Sequence, residues 1–94
     1  MGPFEEAFRL KSRIEQQRIH FIRNELALAM TFLDLATATQ QRDTRERNIQ
    51  NARKAHDEVA SLLAGNLECT EEERAGLEDT LVKLKARLTE ETYA

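Results

Sequence analysis

Residues 19–36 read IHFIRNELALAMTFLDLA, and this stretch decides the fold. It holds no Gly and no Pro, and its apolar residues fall into two rows. Ile19, Ile22, Leu26, Ala29, Leu33 and Ala36 follow one another at alternating steps of three and four. Phe21, Leu28 and Leu35 recur every seven residues. A period of about 3.6 residues lays both rows lengthwise along an α-helix. Together they form an apolar arc far wider than one helix–helix seam requires. The expectation is a central helix covered on two faces by two partner helices.

Working outward, the seven-residue row extends back through Ile14 to Ala7, and Pro3 suits the first turn of a helix, where its missing N–H costs nothing. The first helix is therefore expected from about 3 to 40. Thr37, Thr39, Gln40 and Gln41 weaken the pattern, and Asp43-Thr44-Arg45-Glu46 reads as a capping box slightly off the Ser/Thr consensus. A second helix then runs from about 44 to 64, with Ile49, Ala52, His56, Val59 and Leu63 on its apolar stripe, broadened by Ala55 and Leu62. Gly65-Asn66 reads as a left-handed C-cap pair. Thr70-Glu71-Glu72-Glu73 is a full capping box that places three carboxylates where the helix dipole favours them. A third helix follows over about 71–91 on a narrow stripe of Leu77, Leu81, Leu84 and Leu88, with Gly76 costing about 1 kcal/mol relative to Ala. The expected fold is all-α: one domain over 1–94, an antiparallel up-down-up three-helix bundle with an overlong first helix.

Composition agrees. The 94 residues include 12 Ala and 12 Leu but only 4 Ile and 2 Val to seed strands. One Cys excludes an internal disulfide and a Cys-rich zinc site. A net charge of −3 names no partner class, and the acidic excess sits in the last third, where residues 67–94 carry 4 basic and 8 acidic groups. No run approaches the roughly 18 apolar residues of a membrane span, and the N-terminus lacks a signal pattern. A myristoylation motif would want Ser or Thr where Glu6 stands. The chain reads as soluble and cytoplasmic, with no membrane partner.

The helix lengths carry the functional expectation. At 1.5 Å per residue the first helix is about 55 Å long and the others about 30 Å each. The short helices reach only the second half of the long one, so residues 4–18 project, and Phe4, Phe8, Leu10 and Ile14 find no cover within the chain. Either the helix bends near Gln16-Gln17 or a second copy covers these residues. Sharp kinks have identifiable causes, and no helix breaker lies there. The reading is self-association into a dimer through Phe4, Phe8, Leu10 and Ile14.

Catalytic and metal signatures are missing. Glu-x-x-His fails because Gln17 precedes His20 and Arg53 precedes His56 at that spacing. There is no His-x3-His, Cys-x2-Cys, Gly-rich phosphate loop or Ser-centred elbow, and no 34-residue repeat. No enzyme activity, cofactor or metal is expected. His56 reads as a core or rim histidine bonded to a neighbour, and Cys69, beside three carboxylates that disfavour a thiolate, as a small apolar residue.

The best candidate partner face is a stripe of Arg9, Arg13, Gln16, His20 and Arg23, at steps of four and three along the first helix. It reads either as a solvated face or as one that suits an acidic protein or the Glu71-Glu72-Glu73 cluster of a second copy. Nucleic acid fits less well, because the chain is acidic overall and no aromatic residues interleave with the arginines. Arg42, Arg45, Arg47, Arg53 and Lys54, mixed with Asp43, Glu46, Asp57 and Glu58, read as a solvated, salt-bridged surface. Gln17, Asn24 and Thr31 follow the seven-residue position of Leu10; they either fix register and oligomer state or mark the edge of the apolar arc. The functional expectation is a non-enzymatic interaction module that forms a homodimer. The alternatives are a regulatory adaptor docking its N-terminal helix in another protein's groove and, behind both, a nucleic-acid accessory protein.

Overall fold

A computed structural model describes residues 2–93. Three helices follow in chain order: α1 (Pro3–Ala38), α2 (Arg42–Ala64) and α3 (Glu71–Tyr93). No strand occurs among the described residues. Arg45 at the start of α2 donates to Glu91 at the end of α3, and Arg74 at the start of α3 donates to Leu63 at the end of α2. Thr37, at the end of α1, also reaches Glu91. These contacts set α2 antiparallel to α1 and α3, the up-down-up order expected. The 36 residues of α1 form one unbroken helix through Gln16-Gln17, and the molecule is 59 Å long and 20 × 17 Å across.

The core is the row of threes and fours. Ile22, Leu26, Ala29 and Leu33 of α1 pack with Ala52, Ala55 and Val59 of α2 and with Leu77, Leu84 and Leu88 of α3. Small residues on α2 let its backbone approach the larger side chains of α1, and burying each Leu or Ile contributes about 1.5–3 kcal/mol. Ile49 and Leu81 are half-buried at the edges, while Leu62 stays exposed.

The expected second covered face of α1 is a correction. Ile14, Phe21, Leu28 and Leu35 are all about half exposed. In a three-helix bundle the two neighbours of any helix share one side of it, so a single arc is buried and the opposite row faces outward.

The helix ends fall within two residues of the expected ones, and the cap readings at Asp43 and Gly65 are corrected. Helix α1 stops at Ala38, two residues early, because Thr39 turns extended (φ −85°, ψ 144°) and its hydroxyl accepts the Gln41 N–H at 3.2 Å. A side-chain oxygen that satisfies the backbone locally competes with continued helix. Helix α2 then begins at Arg42 rather than 44: the Arg45 N–H already closes a turn on the Gln41 carbonyl at 3.0 Å, leaving Asp43 inside the first turn instead of at the cap. Gly65 is not left-handed but sits at φ −87°, and no described residue has positive φ. Arg74 takes over instead, donating to the Leu63 carbonyl at 2.7 Å and the Leu67 carbonyl at 3.2 Å, while Leu67 plugs the core beneath. The capping box at α3 forms as read, with Thr70 and Glu73 exchanging hydrogen bonds of 3.0 Å each way.

Candidate interaction surface

Helix α1 projects past the bundle at its N-terminal end. The α2–α3 connection reaches it at Lys11, whose Nζ lies 3.5 Å from the Glu68 carboxylate. Glu15 joins them: its hydrogen bond to Glu68 raises its pKa above the ordinary value, and the same contact, with Lys11 beside it, lowers that of Glu68. Ala7 and Leu10 line an open hollow with Asn66 and Glu68 of the same connection.

All four predicted contact residues are exposed, from 90% at Phe4 to 48% at Ile14. The structure does not bring them onto one stripe. Leu10 and Ile14, four residues apart, continue the outward row of Phe21. Phe4 and Phe8, also four apart, form a second patch, and Phe8 stands fourteen residues before Ile22, in line with the core-facing row. The exposed apolar surface of α1 is therefore larger than predicted. It covers the projecting turns on two sides and continues as a half-exposed row to Leu35, opposite the core.

Along the basic stripe, Arg9, Arg13, Gln16, His20 and Arg23 are all exposed on α1. Its last member lies near the chain's own acidic helix start. Glu73 is held below its ordinary pKa chiefly by the Thr70 backbone and hydroxyl, with a smaller attraction from Arg23. Gln17, Asn24 and Thr31 are exposed along the outward side.

Other chemistry-bearing residues have structural partners. His56 is half-buried at the rim, with Nδ1 3.0 Å from the Asp57 carboxylate. Cys69 is half-buried against the core. Among the described residues no three of His, Cys, Asp and Glu converge as metal ligands do. No described helix is long and apolar enough to cross a membrane. The hollow along α2 past Gln50, Arg53, Asp57 and Leu62 is an open surface of one helix.

The second basic group departs from its reading at two members. Arg42 does make a solvated pair with Glu46 at 3.2 Å. Arg45 instead donates to the Glu91 carbonyl at 3.0 Å and its carboxylate at 3.3 Å, and Arg53 donates to the Thr92 hydroxyl at 2.9 Å. Glu91 also accepts from Thr37 at 2.6 Å, so one carboxylate ties all three helices together at that end. Sequence reasoning missed Glu91 and Arg74, and neither stands in a motif that would reveal it. Comparison with protein-family models, curated proteins and solved structures gave no match.

Proposed function

We propose that this chain is a non-enzymatic helical interaction module that self-associates through the N-terminal half of α1. The observation that supports it most is the exposure of Phe4, Phe8, Leu10 and Ile14 on turns that no other helix of the chain reaches. Burying one Phe or Leu contributes about 1.5–3 kcal/mol, and contiguous exposed apolar surface on a small protein marks a contact site. A second copy carries the same patch and meets it by symmetry. Arg9, Arg13 and Arg23 then point outward or toward acidic groups of a partner.

Solution mass by light scattering after size exclusion, across a hundredfold concentration range, tests this. The expected mass is twice 10.8 kDa. Replacing Phe8→Glu together with Ile14→Glu should give a folded monomer with unchanged helical circular dichroism; an unchanged mass rejects the proposal. The competing reading is an adaptor that docks α1 in another protein's groove, favoured by the high exposure of Phe4 and Phe8 at the far end of the helix. An elongated wild-type monomer at every concentration selects it.

A further inference from the structure

The outward side of α1 is built as a seam along the whole helix. Ala7, Ile14, Phe21, Leu28 and Leu35 form one row at seven-residue spacing, and Leu10, Gln17, Asn24, Thr31 and Ala38 form the adjoining row three residues on. Every one of these positions is exposed. Alternating steps of three and four are the repeat by which two helices wind together. Resting on the self-association reading above, with Leu10 and Ile14 inside the contact and Phe8 outside its two rows, we infer that the partner is a second copy of this chain, that the seam runs the full length of α1, and that the two α1 helices lie antiparallel.

Area argues for the full length. From Ala7 to Ala38 the seam is about 47 Å long, and with a helix about 10 Å wide it covers roughly 900 Å² counted over both copies. That lies just under the roughly 1,000 Å² floor of a specific interface, in the size range of a weak dimer. Residues 4–18 alone offer less than half as much.

Charge argues for the direction. The flanking row on one side holds Arg13, His20 and Asp34, and the row on the other holds Lys11, Arg18 and Glu25. In an antiparallel pair with Phe21 across from Asn24, Arg13 of one copy meets Asp34 of the other, and Arg18 meets Glu25. Symmetry makes this four attractive pairs and no repulsive one. Asp34 also accepts from Arg87 within its own chain at 2.8 Å, yet its side chain stays 70% exposed. A parallel pair gains Glu6 against Lys11 and brings His20 beside Glu25, but sets Arg13 against Arg18 on both flanks, and the like charges there oppose that arrangement.

Side-chain size points the same way. The antiparallel register places Phe21 across from Asn24, Leu28 across from Gln17 and Ile14 across from Thr31. Phe21 and Ile14 then face shorter polar groups and Leu28 faces Gln17, their polar ends reaching the solvated edge of the two-helix seam, while Leu35 meets Leu10. The parallel register stacks Phe21 on Phe21 instead.

Spin labelling at Gln40→Cys in a Cys69→Ala background, with pulsed dipolar distance measurement, tests direction and span together. The antiparallel full-length seam sets the two labels about 50–60 Å apart. A separation near 20 Å means parallel helices, and one beyond about 80 Å means overlap of the N-terminal halves only. Both overturn this inference while leaving self-association intact. A charge exchange gives a second readout with opposite signs. Arg18→Glu should weaken an antiparallel dimer about tenfold, and Arg18→Glu with Glu25→Arg should restore it. In a parallel dimer Arg18→Glu tightens association instead, because it removes the clash with Arg13. A monomeric wild type at every concentration overturns the self-association reading itself.

Discussion

Leu26 and Leu28 stand two residues apart on the same helix, yet Leu26 is 2% exposed and Leu28 46% exposed. They belong to the two rows of α1, one facing α2 and α3 and the other facing away. The rows look alike in sequence: both are apolar and both keep heptad-compatible spacing. What separates them is the presence of neighbours. Apolar periodicity shows that a face wants cover; the count and length of the other helices decide which face receives it within the chain.

The largest test of this contrast is the pair Leu26→Ala and Leu28→Ala. The first should cost about 2–5 kcal/mol in denaturant unfolding, because it leaves a cavity at the centre of the core. The second, measured at high dilution, should cost no more than about 1 kcal/mol. Equal costs at dilution would mean the outward row is covered within a single chain. Next in size is Glu91→Ala, which releases α3 from the inward side of α1 and leaves Arg45 and Thr37 without their shared acceptor. A loss of about 1–2 kcal/mol is expected, with the solution mass unaltered.

Thr70→Ala removes the cap that starts α3 and should cost about 1 kcal/mol. It also bears on acid stability. Glu73 has a folded pKa below its ordinary value, so its contribution is complete above the ordinary carboxylate range and is lost as pH falls through the lowered value. Thermal melts of the wild type should therefore decline across that window, and those of Thr70→Ala should decline less. A smaller effect is a gain at an exposed position. A Cβ at Gly76 meets nothing within 4 Å, so Gly76→Ala should raise stability by up to about 1 kcal/mol through helix propensity alone. Gly65→Ala should be close to neutral, since its φ of −87° suits any residue.

The bundle was legible from local signals. Three periodic stretches, the break after Ala38 and the reciprocal cap at Thr70 and Glu73 all follow from residues within a turn or two of one another. The coverage of Phe21, Leu28 and Leu35 was not, because it depends on where α2 and α3 come to lie. Glu91 and Arg74 escaped for the same reason: a charged side chain on a helix looks solvated until a partner from another helix stands opposite it. Gly65 misled because glycine permits a left-handed turn without requiring one. At the candidate surface, exposure of the four apolar residues was readable from helix lengths. Their division into two patches emerges when Phe8 is set in line with Ile22, and Ile14 in line with Phe21.

The connection of three residues between Ala38 and Arg42 also governs how fast the chain finds its fold. A short loop loses little entropy on closing, so α1 and α2 pair as a hairpin almost as soon as their first turns form. The longer connection to α3 is still only six residues. The packing of α1 against α3 joins the most distant parts of the helices, exemplified by Thr37 meeting Glu91 across 54 residues. Chains whose contacts are this local refold within microseconds to milliseconds, and stopped-flow or temperature-jump relaxation at high dilution should show one fast phase.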